Sequence, residues 1–321
     1  MKILVIRFSS IGDIVLTSPV IRCIKNQLAN SEVHYLTKNS FKEILIANPY
    51  LSKIYAFEKD VSEIINQLKE EKYDLIIDLH DNIRSHQVST MLKVKTYRYN
   101  KQRFKRFLLT QFKLNLLNNH VVDRYFSAVK KLNVINDGKG LDYFIPEKDE
   151  IPPANLPFTH LAGFCVIVVG AKHFTKTIPL DKLKELCEKI NIPIMLIGGL
   201  EDAYTGTQLE AIDNFKIYNS CGKFNINQSA SIIKKAKFVI TGDTGMMHIA
   251  AALNKRIISI FSGTEKRLGF TPYNTNASQN VMIENTNLSC RPCHKHGLPA
   301  CPKNHFKCMN ELDMQKVIDV L

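Results

Sequence analysis

Lys2-Ile3-Leu4-Val5-Ile6-Arg7-Phe8-Ser9-Ser10-Ile11-Gly12-Asp13 opens the chain. Ile3 to Ile6 form an unbroken apolar run, and the stretch ends in a polar turn holding one glycine. An unbroken run, as opposed to an alternating one, marks a strand buried on both faces. Gly12 permits a tight turn or the close approach of a ligand. A helix-like segment then extends to about Leu28. Buried strand, turn and helix in that order begin a parallel βαβ unit.

The same plan repeats outward from this stretch. Glu32 to Leu36 and Lys53 to Phe57 read as strands, and the run from Tyr73 to Leu79 as another. Pro146 to Pro157 interrupts the alternation with a charged, proline-rich segment that reads as a linker. Beyond it the alternation restarts. Phe164 to Gly170, Pro193 to Ile197, Lys237 to Thr241 and Arg256 to Phe261 read as strands, with a helix over Leu180 to Ile190. The expectation is an α/β chain of two Rossmann-like domains, 1–150 and 151–321, facing each other across a cleft. In such folds ligands bind outside the carboxyl ends of the strands.

The chain has 321 residues, long enough for two domains, and 45% of them are hydrophobic, which excludes wholesale disorder. No apolar run approaches the ~20 residues of a membrane-spanning helix. The opening run meets Arg7 with no small-residue cleavage pattern, so no signal peptide is expected and the predicted location is cytoplasmic. The net charge of +13 is uneven. Lys93, Lys95, Arg98, Lys101, Arg103, Lys105 and Arg106 share one stretch with Tyr97, Tyr99, Phe104 and Phe107. Such a strip suits anionic headgroups or nucleic-acid phosphates, or is a solvated face.

Three candidate sites stand at strand ends. The turn Ser9 to Asp13 carries a carboxylate that is either functional or a helix cap, and it lacks the G-x-G-x-x-G pattern of dinucleotide binding. Gly170 to Lys176 offers Thr175 and Lys176, a hydroxyl and an ammonium suited to an anion. Thr241-Gly242-Asp243-Thr244-Gly245-Met246-Met247-His248 opens a helix whose free amides and positive dipole end suit phosphate. Cys290, Cys293, Cys301 and Cys308 gather near the end of the chain, with His294, His296 and His305 among them. Cys290-Arg291-Pro292-Cys293 is a C-x-x-C pair, and four thiolates suit a structural zinc or iron. Reduced thiols packed under a final helix over 313–321, or a disulfide, are the alternatives. The other four cysteines read as core thiols.

Taken together, Arg7 to Asp13, Asp78 to Ser85, His120 to Tyr125, Thr175-Lys176 and Asp243 to Ala251 resemble glycosyltransferase family 9, the lipopolysaccharide heptosyltransferases. The resemblance covers nearly the whole chain in the expected order. It implies the GT-B fold, with an acceptor-binding first domain and a nucleotide-sugar-binding second domain that ends in the cysteine-rich tail. It also implies inverting transfer with no cofactor required for catalysis. The implied donor is a nucleotide-sugar, usually ADP-heptose. The implied acceptor is an acidic glycolipid, the inner core of lipopolysaccharide, met at the inner face of the membrane.

By the same resemblance Asp13 is the base and Lys176 neutralises the departing diphosphate. Thr175, Asp243, Thr244, Gly245, Met246 and His248 bind the donor, and Glu201 or Asp202 takes the ribose hydroxyls. Ser10, Gly12, His80, Asn82, Arg84, Lys101, Arg103, Lys105 and Arg106 meet the acceptor. Two other classes compete: a nucleic-acid-binding protein that uses the basic strip and a metal-bound tail, and a catalytically silent GT-B scaffold. Three separate site motifs argue against the first, so no nucleic-acid partner is expected. The presence of both Asp13 and Lys176 argues against the second.

Overall fold

The computed structural model describes the backbone of residues 1–321 and every side chain except that of Ala277. The chain forms two compact units. One comprises Met1–Gln102 with Asn119–Pro146, and the other Arg103–Asn118 with Glu147–Leu321. The segment Arg103–Asn118 therefore belongs with the second unit, and not with the first as a division at residue 150 implies.

In the first unit, β1 (Lys2–Ile6) leads into α1 (Ile11–Val15) and α2 (Ser18–Gln27). The single helix expected here is two, because Pro19 has no amide hydrogen to continue a helix and starts a new one well. There follow β2 (Glu32–Lys38), β3 (Lys53–Phe57), α3 (Ile65–Glu70), β4 (Leu75–Asp78), α4 (Ile83–Leu92) and β5 (Thr96–Arg98). Next come α5 (Arg103–Phe112), which packs in the second unit, and α6 (Val121–Phe126), which returns to the first. The sheet order is β3-β2-β1-β4-β5, and all its pairings are parallel. Ile3, Leu4, Val5 and Ile6 are all fully buried, as an unbroken apolar strand requires.

The second unit contains β6 (Cys165–Val168), α7 (Leu180–Lys189), β7 (Ile194–Ile197), α8 (Ala203–Glu210), β8 (Ile217–Asn219), α9 (Ile226–Lys235), β9 (Phe238–Gly242), α10 (Gly245–Ala252), β10 (Arg256–Phe261) and β11 (Val281–Glu284). Two short helices close it, α11 (Lys307–Asn310) and α12 (Gln315–Ile318), and α12 is a shorter form of the final helix expected over 313–321. The order is β11-β10-β9-β6-β7-β8, again parallel throughout. Strands β5, β8 and β11 were not legible, being short edge strands without the unbroken burial of the four-residue β4, β6 and β7. The segment read as a linker is docked onto α9. Buried Asp149 accepts hydrogen bonds from Asn225 at 2.8 Å and Asn227 at 3.3 Å, and Glu150 pairs with Lys234 at 2.7 Å.

Both sheets reverse their strand order once. In the first unit the reversal lies between β1 and β4, and in the second between β6 and β9. The loops leaving those strands diverge to opposite faces and open a crevice at the carboxyl edge. The sequence candidates Asp13 and His80 follow β1 and β4, and Lys176 and Asp243 follow β6 and β9.

Candidate active site

In the first unit the site is built around Arg7, the one charge that follows the buried run of β1. Its guanidinium is buried, donating from Nε to the Ser9 carbonyl at 2.7 Å and from Nη1 to the Leu79 carbonyl at 2.7 Å. Its remaining nitrogen, Nη2, pairs with Asp13 Oδ1 at 2.6 Å. Burial works against this charge. Asp13, Tyr125 and Tyr99 outweigh it and keep the Arg7 pKa above its ordinary value. The other carboxylate oxygen of Asp13 accepts from the Ser10 hydroxyl at 2.9 Å and the Ser10 amide at 3.3 Å. Tyr125 donates to Oδ1 at 3.4 Å. Asp13 is thus both a capping residue of α1 and a carboxylate clamped in one orientation.

The loop after β4 hangs on Asp78, which is fully buried. Its oxygens accept from the amides of His80 at 2.9 Å and Asp81 at 2.7 Å, from Ser85 at 2.8 Å and from Arg98 at 3.3 Å. His80 leans on the Phe8 ring at 4.9 Å. Burial, then Arg7 and Lys101, push its imidazole down to about 3, so it is neutral near pH 7.

In the second unit, Lys176 pairs with Asp243 Oδ2 at 2.8 Å, and the same oxygen accepts from Thr264 at 2.7 Å. Gly242 lets the two loops meet, since a Cβ there would lie 2.7 Å from the Lys176 carbonyl oxygen. Thr244 caps α10 in an extended conformation, its hydroxyl 3.1 Å from that of Thr241. The first amides of α10 therefore open beside the Lys176 ammonium, an arrangement that suits an anion.

A family model for glycosyltransferase family 9 (heptosyltransferase) matches residues 61–300. Lipopolysaccharide heptosyltransferase 1 of Campylobacter coli is 30% identical over 292 residues, covering 82% of this chain and 84% of the relative. The chain belongs to glycosyltransferase family 9. Among solved structures, the family-9 glycosyltransferase from Veillonella parvula superposes with a TM-score of 0.80 at 16% identity, covering 99% of this chain and 95% of that one. The E. coli heptosyltransferase WaaC with ADP gives a TM-score of 0.70 at 18% identity, covering 99% of both chains. The fold is therefore the GT-B class that the resemblance implied.

In this family-9 glycosyltransferase the side chains assigned from sequence are placed as follows. The Thr175 hydroxyl is taken by the tail: it accepts from the Leu298 amide at 2.7 Å and lies 3.2 Å from the Leu298 carbonyl, which also receives the Thr175 amide at 3.1 Å. Asp202 folds back over Gly170 and Gly198 and accepts from the Gly199 amide at 2.8 Å, leaving exposed Glu201 as the reachable carboxylate of that pair. Asn82 caps α4 by accepting from the Ser85 amide at 2.9 Å, and Arg84 is exposed. The basic strip is not one face. Lys101 donates to the Asp81 carbonyl at 2.7 Å in the first unit, while Arg106 is buried in the second with its guanidinium 5.8 Å from the Phe270 ring centroid. Arg103 is exposed and Lys105 partly so. His248 is buried in α10, and Met246 half-buried.

Arg7, Tyr125, Thr264 and Arg291 hold these groups in place without having been assigned roles from the sequence. Arg7 left a signal as a lone charge ending a buried strand, while Tyr125 and Arg291 lay inside quoted motifs with no role assigned to them. Arg291, beside Cys290, is buried, donating to the Thr264 carbonyl at 2.9 Å and pairing with Glu284 at 2.8 Å. With the Cys293 amide bonded to the Gly263 carbonyl at 2.8 Å, it fastens the tail to the loop that supports Asp243.

All eight cysteines are free, and Cys23, Cys165, Cys187 and Cys221 are core thiols as expected. In the tail, burial and then the neighbouring thiols Cys290 and Cys301 raise the Cys293 pKa. Burial pushes Cys308 up to about 12. Burial also works to raise Cys301, but the amides of Lys303, Phe306, His305 and Asn304 outweigh it and lower its pKa. Among the described residues, the groups with three metal-capable atoms within 4.8 Å of one another are Glu32–His34–Glu71 and Asp78–Asp81–His86, and neither includes a tail cysteine.

His80 gives a pH signature. Its folded pKa lies below the unfolded value of about 6.5, so the folded state resists its protonation. The stability this preserves is complete above about pH 6.5 and is lost as pH falls towards about 3, by at most about 1.4 kcal/mol per pH unit. Denaturant unfolding at pH 7 and pH 5 should show a smaller loss for His80→Asn than for the unaltered chain.

Proposed function

We propose that this glycosyltransferase moves heptose from ADP-heptose onto an acidic lipopolysaccharide core acceptor, with inversion and without a catalytic metal. The observation that carries the reading is that each unit holds one clamped charge at its strand-order reversal: Asp13 held by Arg7 and Ser10 in the first, and Lys176 held by Asp243 in the second. The name of the Campylobacter coli relative and the ADP of the WaaC structure support the donor and acceptor assigned.

Asp13 takes the proton of the acceptor hydroxyl as the oxygen attacks the anomeric carbon. The bond from that carbon to the diphosphate oxygen breaks, and ADP leaves with the electron pair. Attack opposite the leaving group inverts the centre. Lys176 and the amides at the head of α10 receive the developing negative charge, the task a divalent cation performs elsewhere. Neutral His80 and the Lys101 ammonium flank the acceptor side, and exposed Glu201 receives the ribose hydroxyls. No helix among the described residues is long and apolar enough to cross a membrane. The reading places the enzyme in the cytoplasm, working at the inner membrane face.

A donor screen tests this reading. Incubation with ADP-heptose, ADP-glucose and UDP-sugars, each with a heptose-free core acceptor, should raise Tm and release nucleotide with ADP-heptose, and EDTA should not stop it. Release only from UDP-sugars, or a strict magnesium requirement, would contradict it. Lys176→Ala should weaken ADP binding by roughly 10- to 100-fold in calorimetry, the worth of one charge-assisted phosphate contact.

The tail, in the same reading, holds a structural iron or zinc through Cys290, Cys293, Cys301 and Cys308. Four thiols suit such an ion by their chemistry, and Cys301 already receives backbone amides as metal thiolates do, but among the described residues no three tail sulfurs lie within 4.8 Å of one another, so binding requires the tail to draw them together. Because Leu298 holds Thr175 and Arg291 braces Thr264, an ordered tail fixes the Lys176 and Asp243 loops. Protein purified without a metal-binding tag should contain about one equivalent of iron or zinc by elemental analysis, and Cys293→Ser should lower both the metal content and Tm. Metal-free protein with four titratable tail thiols would refute the site.

A further inference from the structure

Helix α5 presents two unlike faces. Leu109 and Arg106 point into the second unit, where Leu109 packs with Leu117, Leu268 and Phe270. Phe104, Phe107 and Phe112, with Leu114 and Leu116 just beyond the helix, are between 51% and 71% exposed. The rings of Phe107 and Phe112 lie 6.0 Å apart, so they form one surface. Single exposed apolar residues are ordinary, but five within thirteen residues make a patch that a folded chain keeps for a partner.

The charge around the patch identifies that partner. From Asn82 to Val122 the chain has no Asp or Glu. Arg103 is exposed beside the phenylalanines, and Lys105 partly so. Lys295, at the same edge, has its pKa lowered by burial and then by Arg106 and Arg103, which shows how closely the cations crowd there. A second copy of the chain would bring the same positive segment against itself in a two-fold contact. An anionic bilayer offers phosphates to the cations and an acyl boundary to the rings.

We infer that the exposed face of α5 and the Leu114–Leu116 extension is a membrane-docking surface, with Phe104, Phe107 and Phe112 inserted at the headgroup–acyl boundary of an anionic bilayer. The inference goes beyond the proposed reaction and does not depend on its donor or acceptor. It separates tasks that the sequence merged in one basic strip: aromatic insertion by α5, and contact with the sugar acceptor by the residues after β4.

Flotation with vesicles tests it. The full chain should float with phosphatidylethanolamine–phosphatidylglycerol vesicles and not with phosphatidylcholine vesicles. The triple variant Phe104→Ser, Phe107→Ser, Phe112→Ser should bind at least about tenfold more weakly while keeping its Tm, because these rings are exposed. The chain has no tryptophan, so Phe107→Trp places a single reporter in the patch. Its emission should shift to the blue on anionic vesicles and be quenched by brominated acyl chains. Equal flotation of the triple variant, an unshifted indole on vesicle-bound protein, or self-association that the triple variant abolishes without altering vesicle binding would each overturn the inference.

Discussion

Parallel pairing is the constraint from which the rest of the structure follows. Every strand in both sheets runs the same way as its neighbours, so every strand-to-helix turn emerges at one edge. Each sheet reverses its order once, and the loops beside that reversal are the ones with room for a ligand. Asp13, His80, Lys176 and Asp243 occupy those loops and no others. Chemistry is thus confined to strand ends by backbone geometry before any side chain is chosen.

Holding charged groups at such edges requires partners, and the structure supplies them locally. Arg7 spends its other nitrogens on the carbonyls of Ser9 and Leu79, so its grip on Asp13 is directional. Asp243 is braced by Thr264, whose loop is in turn held by Arg291 of the tail. Preorganised charge of this kind is what transition-state stabilisation requires, since little need move when the reaction occurs. The cysteine-rich segment therefore supports the loops of Lys176 and Asp243, through Leu298 on one side and Arg291 on the other.

Much of this was legible in the sequence. The unbroken apolar runs gave the longer strands, and the glycines and polar residues after them marked the loops. The edge strands β5, β8 and β11 lack the unbroken burial of β4, β6 and β7 and left too little pattern to read. The basic strip divides between the two units, because composition counts charges without saying which way each side chain points. Arg106 and Leu109 share a helix face, and the Phe270 ring that receives that face lies far along the chain. Thr175 likewise has a partner that no local pattern shows, since Leu298, distant in sequence, donates to its hydroxyl. Local pattern reads out strands and turns, whereas partners brought together by tertiary packing leave no local trace.

The central claim is that Asp13 is the proton acceptor and is positioned for that task by Arg7. The most direct test is single-turnover transfer by Asp13→Asn, with ADP affinity measured on the same protein. The amide keeps the shape and can still accept from Ser10, but it cannot take a proton. The account predicts an unchanged ADP affinity and a transfer rate lower by roughly two or more orders of magnitude. Transfer at near-normal rate would show that Asp13 only caps α1, and would contradict the account.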